Sequence, residues 1–214
     1  MRALTATSFG RIAVRVPPAV RGQRIGLLGG SFNPPHAAHL LISQTALRRL
    51  ALDEVWWIVS PGNPLKSRTG EASLAQRVAL ARAMAADRRI KVTDFEKDLP
   101  TPFTASTLAF LTRRRPGVDF VWLMGADNLA SIHRWRDWQS IFRLLPIAVI
   151  DRPGWHLKAL ASPAARAFAP SRRPETQAPT LAFASPPAWT LLSGRLSGLS
   201  STELRLKTRG RSAS

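Results

Sequence analysis

Short apolar runs alternate with amphipathic stretches along most of the chain. Arg24–Gly29 (RIGLLG) is an apolar run that meets glycines, which predicts a buried strand. Glu54–Ser60 (EVWWIVS), Ile90–Phe95 (IKVTDF), Asp119–Met124 (DFVWLM) and Pro146–Ile150 (PIAVI) repeat the pattern, and Pro61-Gly62 stops the second run. Between them, Ala37–Leu50, Ser73–Ala86, Thr104–Arg114 and Trp138–Leu144 carry apolar residues at helical spacing, such as Leu74, Val78, Ala81 and Ala85 on one face. Strand–helix units repeated in this way predict the α/β class, with a doubly wound, mostly parallel sheet. Such sheets bind ligands beyond the carboxyl ends of their strands, so the loops at 29–39, 61–68 and 125–135 carry the interest.

The two ends and one internal stretch read differently. Residues 1–22 hold four arginines, no acid and a Pro-Pro pair, and are expected to form a flexible basic leader. Residues 153–188 are rich in Pro, Ala and Arg and are expected to be the least ordered, with one helix near 157–168. Ala188–Leu192 predicts a last strand, and Ser200–Lys207 a last helix capped by Ser200 or Ser201. Residues 209–214 are expected to be a disordered tail, which leaves a single domain over 23–208.

Composition narrows the chemistry. The chain has 214 residues, no cysteine, and 31 Lys+Arg against 13 Asp+Glu, a net charge of +18. The missing cysteines exclude a disulfide framework, a thiolate metal site and a cysteine nucleophile. No stretch reaches the ~18 apolar residues of a membrane span, so no membrane partner is expected, and the composition fits a cytoplasmic protein. The charge favours polyanionic partners. Nucleic acid is not expected, because aromatics are not interleaved with the arginines on one face; a non-catalytic basic nucleic-acid-binding module is the alternative from another class. Trp56, Trp57 and Trp122 lie inside strands and are expected in the core.

The first loop, GGSFNPPHAAH from Gly29 to His39, concentrates the chemistry. Gly29 and Gly30 let backbone amides approach a ligand, and Phe32 can support the turn. His36 and His39 lie three residues apart at a helix start, so both can point the same way, beside free amides and a positive partial charge. Two imidazoles in that setting make an anion site suited to phosphate. No third ligand follows at metal spacing, so no protein-held metal is expected.

This loop resembles the G-x-F-x-P-x-H-x-G-H signature of the nucleotidylyltransferase superfamily, through Gly30, Phe32, Pro34, His36 and His39, with Ala38 where a glycine is usual and Asn33 where many members have Asp. Leu199–Arg205 (LSSTELR) resembles the family's I-S-S-T-x-I-R motif. Trp57–Lys66, Pro102-Phe103-Thr104, Met124–Leu129 with His133-Arg134-Trp135, and Arg152-Pro153-Gly154 resemble the bacterial nicotinate-nucleotide adenylyltransferase branch. The resemblance implies a Rossmann-like fold with a short C-terminal helical segment. It implies transfer of the adenylyl group of ATP to nicotinate mononucleotide, with His36 and His39 catalytic. ATP would meet Gly29, Gly30, Ser31, Phe32, His36, His39, Asp127, Ser201, Thr202 and Arg205. Nicotinate mononucleotide would meet Lys66, Thr104 and Trp135, and Mg²⁺ would arrive with ATP. A nicotinamide-mononucleotide enzyme is the nearer alternative, and a homo-oligomer is compatible with the sequence.

Overall fold

The computed structural model describes residues 14–62 and 72–193. Six strands are formed by β1 (Arg24–Gly30), β2 (Glu54–Val59), β3 (Ile90–Thr93), β4 (Asp119–Gly125), β5 (Ile147–Ile150) and β6 (Trp189–Leu192). They lie in the order β3-β2-β1-β4-β5-β6, and every neighbouring pair is parallel. The order reverses between β1 and β4, which places the ligand crevice of a doubly wound sheet at the ends of those two strands.

The helices are α1 (Ala37–Arg49), α2 (Leu74–Met84), α3 (Thr104–Arg114), α4 (Ala126–Ser131), α5 (Trp138–Leu144), α6 (His156–Leu160) and α7 (Pro163–Ala167). They cover both faces of the sheet, and strand alternation sorts the core accordingly. Ile25, Leu27, Trp56, Trp122 and Met124 pack with α3, α4 and α5 on one face. Leu28, Val55, Trp57, Val59 and Leu123 pack with α1 and α2 on the other. Trp56 and Trp57 are fully buried on opposite faces, as neighbours in a central strand must be.

The structure departs from the sequence reading in two stretches. Residues 153–188 are ordered: α6 and α7 replace the single expected helix, and a 3₁₀ segment runs over Glu175–Phe183. Ala159, Ala164, Ala165, Leu181 and Ala182 are buried from this region. Its order comes from tertiary packing rather than from local periodicity: α6 and α7 lie against α4, and the 3₁₀ segment lies against β4 and β6. Within the expected leader, Val14, Val16 and Ala19 pack against the core, and Gly22 N–H donates to the Gly117 carbonyl at 2.7 Å. The helix expected over Ser200–Lys207 lies outside the described residues. No helix among the described residues is long and apolar enough to cross a membrane.

Candidate active site

β1 ends on Gly29 and Gly30 beside a crowded neighbour. A Cβ on Gly29 would sit 2.5 Å from Trp122 Cη2, so only glycine fits. One on Gly30 would come within 3.9 Å of His39 Nε2, so the bare backbone leaves open the space in front of that nitrogen. The chain then turns through Phe32, which has φ 47° and is fully buried. Phe32 stacks on His39 with ring centroids 4.4 Å apart and on Trp57 at 5.1 Å.

His36 is the residue at the start of α1, and His39 stands one turn in. Their rings lie 4.0 Å apart, so the three-residue spacing does bring both imidazoles to one place. The His36 backbone N–H donates to His39 Nδ1 at 3.2 Å. An accepting Nδ1 carries no proton in the neutral ring, which assigns the proton to Nε2, the nitrogen facing Gly30. Burial, then the neighbouring His36, lowers the His39 imidazole to about 3, and Arg152 acts in the same direction. His39 is therefore neutral at pH 7 and offers one fixed N–H donor. Behind it, Trp57 Nε1–H donates to Ser43 Oγ at 2.7 Å, and Ser43 donates to the His39 carbonyl at 2.8 Å. Trp57 is thus core, as expected, and also backs the histidine pair. Ala38 is buried at 4% exposure, and the two rings meet beside it all the same.

Asp127 stands in the first turn of α4, directly after β4. Arg152, just past β5, donates to Asp127 Oδ2 at 2.7 Å. Asp127 Oδ1 is buried and accepts no hydrogen bond among the described residues. A Cβ on Gly125 would collide with that oxygen and lie 3.0 Å from Arg152 Cδ, so β4 ends on a glycine for this pair. The charge of Arg152 is felt at His39, where it disfavours the protonated ring.

Two further segments carry the residues expected at the mononucleotide. Thr104 is the first residue of α3 and half-buried, and Trp135 follows a 3₁₀ turn at Ile132–Arg134 and packs against the core. The Arg136 guanidinium lies 4.8 Å over the Phe103 ring, which ties the segment of Trp135 to that of Thr104. Glu96 accepts from Thr107 Oγ1 at 2.7 Å and anchors the loop leading into α3; burial raises its carboxyl above the usual range. Lys66, Ser201, Thr202 and Arg205 lie outside the described residues. Among the described residues no group of three His, Asp or Glu side chains could hold a metal ion.

Two groups escaped the sequence reading. Arg77 is 5% exposed and donates into the loop carbonyls around β1 and β2. Its interruption of the apolar face of Leu74, Val78 and Ala81 is visible in the sequence, but the carbonyls it meets are not. Arg152 was visible only as part of an R-P-G string, and its pairing with Asp127 is long-range. Next to Arg152, Asp151 Oδ2 meets His156 Nδ1 at 2.7 Å.

Comparison with known proteins fits this geometry. The model of the cytidylyltransferase-like family matches residues 27–207. A protein of Methylorubrum extorquens named "probable nicotinate-nucleotide adenylyltransferase" is 58% identical over 86% of this chain and 100% of its own length. One of the same name from Rhizobium meliloti is 55% identical over 85% of this chain and 96% of its own. The chain belongs to the cytidylyltransferase-like family, in the branch of the bacterial nicotinate-nucleotide adenylyltransferases. A solved structure of the Plasmodium falciparum nicotinic acid mononucleotide adenylyltransferase, complexed with NaAD, shares the fold: TM-score 0.64 at 17% identity, covering 86% of this chain and 83% of that one. For a member of this branch, the ends of β1 and β4 are where the fold puts the crevice, and His36, His39, Asp127 and Arg152 gather there.

Proposed function

We propose that the chain transfers the adenylyl group of ATP to nicotinate mononucleotide, forming nicotinate adenine dinucleotide and pyrophosphate. A phosphate oxygen of the mononucleotide attacks the α-phosphorus in line. The bond from that phosphorus to the α,β-bridging oxygen breaks, and its electron pair leaves with pyrophosphate. The attacking phosphate is ionised near neutral pH, so no general base is required. Catalysis rests on bringing two anions together and stabilising charge on the α-phosphate and the leaving group.

The observation that carries this reading is the His36–His39 pair at the bare glycine end of β1. Neutral His39 donates from Nε2 to a phosphate oxygen, and His36 shares that charge. The amides at the start of α1, with Gly29, Gly30, Ser31 and Phe32, line the same anion site. Asp127 Oδ1 has acceptor capacity for an adenosine hydroxyl while Arg152 holds the other oxygen. Ser201, Thr202 and Arg205 take the leaving pyrophosphate end, and Lys66, Thr104 and Trp135 the mononucleotide. Mg²⁺ arriving with ATP would supply screening of the phosphate charge, held by the nucleotide rather than by a side-chain cluster of the described residues. We place the protein in the cytoplasm with its soluble substrates.

The test is pyrophosphate release from ATP with the acceptor varied. Nicotinate mononucleotide should support turnover well above nicotinamide mononucleotide, with phosphopantetheine inactive. Release with none of the three overturns the reading, and a preference for nicotinamide mononucleotide moves the chain to the neighbouring specificity.

A further inference from the structure

We propose that Arg77 is a positioning residue for His39, acting through the backbone of the histidine loop. The inference rests on the adenylyl-transfer reading for its kinetic part only.

Arg77 lies on α2, and its guanidinium spans three segments. Nη1 donates to the Ser31 carbonyl at 2.5 Å and to the Ser60 carbonyl at 2.8 Å. Nη2 donates to the Pro61 carbonyl and Nε to the Ala72 carbonyl, both at 3.2 Å. Ser31 belongs to the histidine loop, Ser60 and Pro61 follow β2, and Ala72 precedes α2. One planar, permanently charged fork therefore fastens the loop after β1 to the loop after β2. It also holds the two flanks of the stretch that carries Lys66.

A buried cation is costly unless its donors are satisfied, so a lysine or a neutral residue does not do the same work. What the arrangement secures is direction. A peptide group is planar, so turning the Ser31 carbonyl toward Arg77 fixes the plane that contains the Phe32 amide. Phe32 sits at φ 47°, a conformation that disfavours any side chain and persists only when its surroundings hold it. The Phe32 ring is the surface on which His39 stacks, 4.4 Å away. The path runs from the Arg77 fork to the Ser31 carbonyl, then the Phe32 backbone, then the Phe32 ring, then the imidazole. Each link is a contact of this structure, and the last sets where Nε2–H points.

Two variants test the path. Arg77→Lys keeps the charge but cannot reach four carbonyls from one plane. Its kcat should fall on the order of tenfold to a hundredfold with KM for ATP changed far less, because a misaimed donor costs the transition state more than binding. Phe32→Leu leaves the Arg77 clamp intact and removes only the stacking surface. Ring-proton NMR supplies a readout free of substrate: the His39 signals, assigned by difference among four histidines, should not titrate between pH 5 and 8 in the wild type. In both variants they should shift and titrate closer to the ordinary histidine range. A folded Arg77→Lys protein with wild-type kcat, or with His39 signals unmoved, overturns the proposal, as does a loss of melting temperature with normal kcat well below it. Should Arg77→Lys fail to fold, unmoved His39 signals in Phe32→Leu break the path at its last link. If the wild type releases no pyrophosphate, the functional reading fails alone, and the titration still decides Arg77.

Discussion

Two arginine–aspartate pairs sit at opposite ends of the sheet and behave differently. At the amino end, Arg24 and Asp53 satisfy each other. Nη2 meets Oδ1 at 2.8 Å, and Nε and the Arg24 backbone N–H both reach Oδ2, at 3.2 and 2.8 Å. At the carboxyl end, Arg152 engages one oxygen of Asp127, and the other is buried with no partner among the described residues. The first pair clips β1 to the segment before β2. The second keeps acceptor capacity in a place where water is scarce, beside a histidine that burial has made neutral. A saturated pair is a structural clip, whereas an unsaturated one held in place by a glycine and a guanidinium is ready for a ligand.

If that contrast holds, damage at the carboxyl end should appear in turnover and damage at the amino end only in stability. The largest effect belongs to His39→Ala. Losing one transition-state donor should lower kcat by a few hundredfold, while alanine, a good helix former, keeps α1 intact. Steady-state pyrophosphate release beside a melting curve separates the two effects; near-normal turnover in the folded variant would remove His39 from the mechanism. The titration adds a sign. The folded imidazole lies at about 3 and its ordinary value is 6.5. Between those limits the unfolded chain binds more protons, so stability falls as pH drops from about 6.5 toward 3. His39→Ala should flatten that part of the stability profile.

Next in size is Gly125→Ala. The added methyl collides with Asp127 Oδ1 and presses on Arg152, so the pair must open or turn. Adenylyl transfer should fall on the order of tenfold, most visibly in KM for ATP, with little change in far-ultraviolet circular dichroism. If Gly125→Ala matched the wild type in both constants, the unsatisfied oxygen would have no ligand role, and the two pairs would differ in geometry only.

Much of this layout was legible in the sequence, for definite reasons. Buried parallel strands are runs such as EVWWIV, and their alternation with helical spacing leaves little freedom in topology. The histidine pair was legible because three residues along a helix start fix a shared direction, and the glycines before it because they end an apolar run. Arg77, Arg152 and the 153–188 stretch were not. Arg77 acts on carbonyls as far away in sequence as Ser31, and a string of residues does not show which backbone oxygens are left over. Pro179 inside a 3₁₀ segment and the small buried alanines around it give no period, because contact with the sheet supplies their order. Ser162 with Pro163 was a local helix start in plain view: its Oγ accepts from the Ala165 N–H at 3.2 Å.

The smallest effect is the one expected at the amino end, and it sharpens the comparison most. Hydrogen bonding from Arg24 holds the Asp53 carboxyl below its ordinary value. Both side chains are about a third exposed, at 30% and 39%, so solvent screens the pair and its contribution is below about 1 kcal/mol. A depressed carboxyl contributes stability above its unfolded value, and that contribution is lost as pH falls through the lower, folded one. Asp53→Asn should therefore be slightly less stable than the wild type in urea at pH 7. The gap should close as pH falls below the ordinary carboxylate range. Pyrophosphate release at pH 7 should be unchanged, since the pair lies at the far end of β1 from Gly30. A loss of turnover in Asp53→Asn larger than its loss of folded protein would mean that the amino-end clip is felt along β1 at the histidines, and the division between the two ends of the sheet would no longer stand.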